Sequence, residues 1–396
     1  QMKVAIIGGG ASGLFAAGRI SQKGHDVIVF DGNEKTGKKL YITGKGRCNF
    51  TNDCDRETFL SNVVRGEKFF QSALSRFNPQ DCIAFFESKN VATKVERGNR
   101  AFPASDKSSD ILKALNFFAS KATIKLNHKV KSIIKKSDKF YVDGEMFDRV
   151  IIATGGKSYS QTGSEGDGYN FARRFGHNII DIKPALVPIE LDDSDLSALQ
   201  GVSLKNVSLT AKCGKKTFSQ FGEMLFTDKG ISGPIVLTLS SLINRESEVS
   251  LSLDLKPALS FEKLDARLVR EFENDKNKNL SSVMATLMIK SMIPPFLKRV
   301  SLSGDRKINS ITSQERARIA NGLKCWTLRY KMLYPLNAAI VTSGGVDLKQ
   351  IDPKTMHSKI VSGLYFIGEV LDIDALTGGF NLQIAFSTAY AASSDF

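Results

Sequence analysis

The sequence predicts a parallel α/β fold interrupted by an insert with antiparallel β and helical parts, on three observations. The chain opens with a short apolar strand, a glycine turn and a helix-compatible stretch. Apolar runs that end in glycine or an acid return near residues 26, 150 and 364, as strands of one parallel sheet do. From about Pro188 the pattern changes to apolar–polar alternation and then to helical stripes. At 396 residues the chain is also too long for one hydrophobic core.

The first element is Val4-Ala5-Ile6-Ile7, followed by Gly8-Gly9-Gly10-Ala11-Ser12-Gly13 and the helical stretch from Leu14. Gly8 permits a tight turn, Gly10 lets backbone approach a pyrophosphate, and Gly13 lets the helix sit close to its strand. The free N–H groups of Ala11, Ser12 and Gly13 would hold the anion. A second strand, Asp26 to Phe30, ends in Asp31 about twenty residues on, where an acid accepts hydrogen bonds from a ribose diol. Strand, glycines, helix, strand and acid in this order predict a Rossmann-type dinucleotide-binding domain, without separating FAD from NAD.

The next segment, Gly37 to Asn52, mixes three glycines with Lys38, Lys39, Thr43, Cys48 and Asn49. It reads either as a loop wrapped around a charged ligand or as a solvated basic loop. His128 to Ile134, including Val130, is strand-like. Val150 to Ile152 leads into Ala153-Thr154-Gly155-Gly156, bare backbone at the ligand edge of a parallel sheet. A glycine-rich run from Gly163 to Gly168 opens a helix at Tyr169. Leu364 to Ile367 reads as a further strand, with Gly368-Glu369 at its tip to hold a ribityl hydroxyl. Leu376 to Gln383, with Asn381 and Leu382, opens an apolar helix whose positive end would suit a reduced, anionic flavin, or which is simply docked on the core.

Gly37 to Asn52, Ala153 to Gly156, Gly222 to Pro234 and Gly368 to Gln383 resemble, in this order, the BaiN-like flavoprotein family, which includes the aminoacetone oxidases. The resemblance spans nearly the whole chain. It implies a Rossmann-type FAD-binding domain at 1–187 and 337–396, and an insert at 188–336 with a β part to about 258 and a helical part from 259 to 325. It places non-covalent FAD at Gly8, Gly10, Ala11, Ser12, Gly13, Asp31, Lys38, Lys39, Thr43, Cys48 and Asn49. Further contacts fall at Val130 by backbone to the adenine, Thr154, Gly155, Glu369, Asn381, Leu382 and Gln383. The sequence departs from its relatives in Asp31 for Glu, Ala375 for Gly and Phe380 for Tyr, the last removing a hydroxyl near the ring site.

Within the insert, Val202 to Cys213 and Glu248 to Leu255 alternate as half-buried antiparallel strands do. Ser260 caps a helix striped by Phe261, Leu264, Leu268 and Phe272. Pro294-Pro295 breaks a second helix, and Thr312 to Glu315 is a capping box for a third. Ser232, before Pro234 at a helix start, reads either as an anion site or as an ordinary cap.

Composition narrows the function classes. No apolar stretch reaches the roughly 20 residues of a membrane span, and Lys3 to Ala17 lacks the cleavage site of a signal peptide. Gln1 ahead of Met2 reads as a cloning remnant. Five cysteines without a CxxC pair and four scattered histidines predict no metal site and a reducing, cytoplasmic setting. The net charge of +14 is read as a solubilising surface rather than a nucleic-acid partner, because no basic stripe carries interleaved aromatics. A second GxGxxG unit is absent, so NAD(P)H would be a transient donor at the flavin. The expected activity is an FAD-dependent oxidoreductase: an NAD(P)H-dependent reductase of an activated double bond in a small or polycyclic substrate. The alternatives are an amine oxidase of the aminoacetone oxidase type and a nucleic-acid-associated flavoprotein. Lys45, Arg47, Cys48 and Tyr159 lie near the flavin motifs, and no catalytic acid is assigned among them.

Overall fold

The computed structural model describes residues 1–163 and 165–396, so one position of the glycine-rich run before Tyr169 lies outside the described residues. The chain divides into two compact units, Gln1–Ala185 with Leu336–Phe396, and Leu186–Pro335.

The first unit is built on a five-stranded parallel sheet in the order Leu364–Phe366, Arg149–Ile152, Lys3–Ile7, Asp26–Phe30, Thr123–Lys125. The central strand is apolar throughout, with Val4, Ala5 and Ile6 fully buried; the helix Ala11–Gln22 and the strand Glu145–Phe147 pack against it. Ala11–Gln22 packs against the C-terminal helix Phe380–Ser393, which brings the two ends of the chain into one layer. The chain crosses to Arg149–Ile152 through a three-stranded antiparallel meander, Ile133–Lys136, Lys139–Val142 and Glu145–Phe147.

Three boundaries differ from the sequence reading. The segment around Val130 is irregular, with strand only from Ile133. The helix expected from Tyr169 starts at Asp167. The last helix starts at Phe380 rather than Leu376, because Gly378 (φ +126°) and Gly379 (φ +95°) hold left-handed or extended-mirror backbone that no helix continues through.

The second unit carries a seven-stranded antiparallel sheet in the order Trp326–Leu328, Val249–Asp254, Ser203–Cys213, Lys216–Phe226, Gly230–Ser232, Ile189–Leu191, Tyr330–Leu333. Its two outermost strands are consecutive in the chain, with Arg329 alone between them. The sheet must therefore curl until its edges approach. Asp193 fixes that corner by accepting from the Arg329 N–H (2.6 Å), the Arg329 Nε (3.0 Å) and the Arg299 guanidinium (3.0 Å).

The helices of this unit follow the sequence signals, with one correction. Ser260 accepts from Lys263 N–H at the start of Phe261–Asn274, and Thr312 with Glu315 forms a reciprocal capping box at Ser313–Lys324. Pro294 and Pro295 do not break a helix. They occupy the first turn of Ile293–Arg299, where the missing N–H groups would have had no intrahelical partner. Ser232 is strand, paired with Leu225, and Pro234 opens the helix Pro234–Ile243.

Candidate functional site

Three sheet strands of the first unit end together: Lys3–Ile7 at the glycine turn, Arg149–Ile152 at Ala153–Gly156, and Leu364–Phe366 at Gly368–Glu369. The sequence-predicted residues converge on this edge because the register brings Ile7 opposite Ile152, and Ile152 opposite Phe366.

The glycine turn shows why each glycine stands where it does. A Cβ on Gly8 would lie 2.2 Å from the Ala153 carbonyl oxygen, and one on Gly13 would lie 1.9 Å from the Gly8 carbonyl oxygen. Both positions are backbone against backbone. A Cβ on Gly10 would meet nothing within 4 Å, so the backbone faces open space at the start of the first helix. That start has no side-chain cap and no acidic residue in its first turn, so its N–H groups are available to an anion.

Asp31 is buried at the end of the second strand. Its Oδ2 accepts from the Gly9 N–H (2.9 Å), and its Oδ1 from the Asn33 backbone (2.8 Å) and side-chain (2.9 Å) N–H groups. The carboxylate thus braces the glycine turn itself. Val130 is buried near this carboxylate's segment, since His128 N–H donates to the Asp31 carbonyl two residues earlier.

At the far strand, Glu369 organises a network that joins four segments. Its Oε2 accepts from Lys39 Nζ (2.6 Å), and its Oε1 accepts from the Thr342 N–H (2.8 Å) and Ser158 Oγ (3.3 Å). Lys39 also donates to Ser158 Oγ (2.7 Å), and Thr342 Oγ1 accepts from the Lys157 and Ser158 N–H groups (2.8 and 3.0 Å). Ser158 and Thr342 were not anticipated from sequence. Lys38 instead pairs with Glu34 one turn away, on the surface.

The loop after Lys39 is tied internally: Thr43 Oγ1 donates to the Lys39 carbonyl (2.9 Å) and the Cys48 N–H to the Thr43 carbonyl (3.0 Å). Cys48 is fully buried, and burial pushes its thiol up to about 12, so it stays protonated. Arg47 stacks on Phe102 and is held by Glu96 and Asp106, which removes it from the pool of free cations. Lys45 and Tyr159 are both held at positive φ, 59° and 51°.

The start of the last helix is held by side chains that act on backbone. Asn381 Oδ1 accepts from the Ala375 N–H (2.9 Å) and its Nδ2 donates to the Ala375 carbonyl (2.8 Å). Gln383 is fully buried, accepting from Thr51 Oγ1 (2.6 Å) and donating to the Phe77 carbonyl (3.0 Å). Its side chain serves the core, while Leu382 is only partly buried.

Among the buried side-chain atoms of this region without a hydrogen-bond partner among the described residues are Asn49 Oδ1, Thr154 Oγ1 and Tyr169 Oη. Asn49 Oδ1 is directed to Gly379, since a Cβ there would lie 2.7 Å from it; Thr154 follows the strand end, with its Oγ1 against Gly168, where a Cβ would lie 2.0 Å from it. Orphaned polar atoms of this kind call for a ligand. Together with the open side of Gly10 and the uncapped helix start, they fit a dinucleotide carrying a flavin. Among the described residues there is no cluster of His, Cys, Asp and Glu fit for a metal ion, and no helix long and apolar enough to cross a membrane.

Residues 2–395 match the profile of the HI0933-like protein Rossmann domain. The chain is 33% identical, over 98% of its length and 96% of the relative's, to a ribosomal RNA dihydrouridine synthase of Haemophilus influenzae. It is 31% identical, over the same shares, to a protein of that name in Escherichia coli. A 3-dehydro-bile acid delta(4,6)-reductase of Clostridium scindens is 30% identical over 98% of both chains. With a match over nearly every residue and relatives of this identity, the chain belongs to the HI0933-like Rossmann family and is a flavin-dependent oxidoreductase.

Proposed function

We propose that the chain binds one FAD non-covalently and saturates a carbon–carbon double bond conjugated to a carbonyl, with NAD(P)H as a transient donor. One observation carries this reading: full-length relatives named for two different substrates share one chemistry. Dihydrouridine is uridine with its ring double bond saturated, and a delta(4,6)-reductase saturates the conjugated double bonds of a ring system. Bound flavin supplies the two-electron relay for such a step.

The protein's part is binding and orientation. The uncapped N–H groups from Ala11 to Gly13 suit the pyrophosphate, and Asp31 suits the ribose diol with the acceptor capacity that Gly9 and Asn33 leave it. The start of the helix Phe380–Ser393, which has no side-chain cap, suits the electron-rich edge of the ring. Thr154 Oγ1 and Asn49 Oδ1 are buried side-chain atoms with bonding capacity to spare.

Among activated double bonds, uridine in ribosomal RNA is the reading we favour. It is supported by two of the three relatives above, and on that ground it departs from the sequence reading of the net charge of +14 as a solubilising surface, a charge that also suits a polyanion. A small polycyclic enone is the second reading, supported by the bile-acid reductase relative.

The test is anaerobic. Holoenzyme mixed with NADH or NADPH should bleach, then recover its flavin absorbance on adding unmodified ribosomal RNA, whose nucleoside digest should gain two hydrogens on uridine. Recovery with a steroid enone but not with RNA would select the second reading. Bleaching by a primary amine but by neither nicotinamide would overturn the reductase in favour of an oxidase. Release of FMN, or no flavin after reconstitution with excess FAD, would defeat the cofactor assignment.

A further inference from the structure

Beside the start of the helix Phe380–Ser393, on the first unit, a short antiparallel sheet orders Thr51–Asn52, Arg100–Pro103 and Thr93–Glu96. The last two strands form a hairpin that Glu96 and Arg100 close as a cross-strand pair, leaving Arg97-Gly98-Asn99 as its tip. Gly98 (φ +78°) and Asn99 (φ +58°) both take left-handed backbone, and Arg100 Nε donates back to the Arg97 carbonyl (3.0 Å). The tip is therefore preformed. Asn52 fixes its place, since its Nδ2 donates to both the Gly98 carbonyl (3.0 Å) and the Gly378 carbonyl (2.9 Å). One side-chain nitrogen thus joins the hairpin tip to the turn that opens the last helix.

The charges around this hairpin separate into a closed set and a surplus. Arg47 and Lys94 share Glu96 and Asp106, two cations for two carboxylates, with the Arg47 guanidinium 4.2 Å over the Phe102 ring. Arg47 thereby ties its own loop, which carries Lys45, to the hairpin. Lys45, Arg97 and Arg100 are exposed, and no carboxylate among the described residues pairs with them. Asp53 is the acid at the tip: its N–H donates to the Asn99 carbonyl, and its Oδ1 accepts from Gln80 (2.9 Å). Three unpaired cations against one carboxylate leave the rim positive. The loop and the hairpin are far apart in sequence, so the patch forms no basic stripe along the chain.

We propose that this rim docks the single-stranded RNA that flanks the target uridine, with Arg97, Arg100 and Lys45 on its phosphates. The proposal rests on the uridine reading above and adds where the chain lies. Exposed cations hold a lone phosphate weakly, because water screens each pair. A polyanion gains with every phosphate it brings, by releasing condensed counterions, so exposed cations suffice for it. Arginine's planar fork matches phosphate oxygens, and a preformed tip leaves little ordering to be done on binding.

The test uses holoprotein, a fluorescent oligouridine titrated across a salt series, and unmodified ribosomal RNA as electron acceptor for photoreduced flavin. Arg97→Gln/Arg100→Gln should bind tenfold or more weakly, with a salt slope shallower by about 1.4, since each phosphate contact on a single strand contributes about 0.7. Reoxidation by subsaturating ribosomal RNA should slow as much, while flavin content and bleaching by NADPH stay unchanged. Arg97→Lys/Arg100→Lys, which keeps the charge, should restore the slope. Lys121→Gln/Lys136→Gln removes two exposed cations elsewhere on the unit and should alter neither affinity nor slope. Wild-type affinity and slope in the glutamine pair at 97 and 100, in a protein whose wild type binds and reduces the RNA, would overturn the docking alone. Neither binding nor reoxidation in wild type would overturn the uridine reading and the docking with it. Slower bleaching by NADPH with RNA affinity intact would overturn the docking in favour of the donor's phosphates. An equal loss in the variant at 121 and 136 would overturn it in favour of overall charge.

Discussion

Replacing Glu369 with alanine removes a carboxylate on which three donors converge: Lys39 Nζ, the Thr342 N–H and Ser158 Oγ. A hydrogen bond to a charged group is worth about 1.5–3 kcal/mol, and the orphaned partner adds its own desolvation. The Lys39 and Glu369 side chains are 26% and 20% exposed, so solvent screens part of the ion pair and the lower figure applies. Counting Lys39 and Thr342, and nothing for the 3.3 Å contact, gives a loss of about 3 kcal/mol in the flavin-free protein. The measurement is the urea midpoint of apoprotein at constant slope. Glu369→Gln, which keeps an acceptor for Thr342 but not the charge for Lys39, should fall between. A cycle with Lys39→Ala should show coupling of about 1 kcal/mol. The sequence alone assigned Glu369 to a ribityl hydroxyl. A carboxylate offers about four lone-pair positions, so both roles are compatible, but they separate in the data. If the apoprotein of Glu369→Ala keeps its midpoint while flavin affinity drops, the network reasoning is refuted and the carboxylate acts on the cofactor alone.

Gly10→Ala should leave apoprotein stability within about 0.5 kcal/mol, because its Cβ meets nothing, while weakening flavin retention measured by equilibrium titration. Gly13→Ala should cost about 3 kcal/mol in apoprotein stability, because its Cβ falls 1.9 Å from the Gly8 carbonyl oxygen; equal behaviour of the two variants would break the distinction. Of the five thiols, Cys325 alone is exposed, so Ellman's reagent should titrate one equivalent rapidly in native protein and four more only on unfolding. The Arg306 hydrogen bond holds the Glu315 carboxyl down at about 2, below its ordinary 4.5. A depressed acid stabilises above its unfolded value and loses that contribution as pH falls through the folded one, so stability should decline between about 4.5 and 2. Glu315→Gln should flatten that limb of a pH–stability curve; an unchanged slope would contradict the assignment.

What was legible in the sequence was local. Strand, glycine turn and helix occupy neighbouring residues, and the steric reasons for Gly8 and Gly13 act across a handful of positions, so residue type and spacing sufficed. The network around Glu369 left no such trace, since its partners stand 330 residues away at Lys39 and 211 at Ser158. Thr342 sits in Val341–Val346, whose mixed sequence gives neither alternation nor an apolar run. Gln383 is a similar case: the family resemblance names it as a cofactor contact, and the structure adds side-chain bonds to Thr51 and Phe77 that no local pattern announces.

The insert makes the same point about sheets. Alternation along Ser203–Cys213 and Val249–Asp254 tells which side chains share a face, because the side-chain period of a strand is two. It says nothing of which strand neighbours which. The observed order in turn constrains the sheet at one residue: Trp326–Leu328 and Tyr330–Leu333 lie at opposite edges of a seven-stranded sheet, yet Arg329 alone joins them. A single residue cannot span a flat sheet, since strands lie roughly 4.8 Å apart. The sheet has to close on itself, and the closure has to be held where the chain passes from one edge to the other. Asp193, buried and accepting from both Arg329 and Arg299, is the residue placed to hold it.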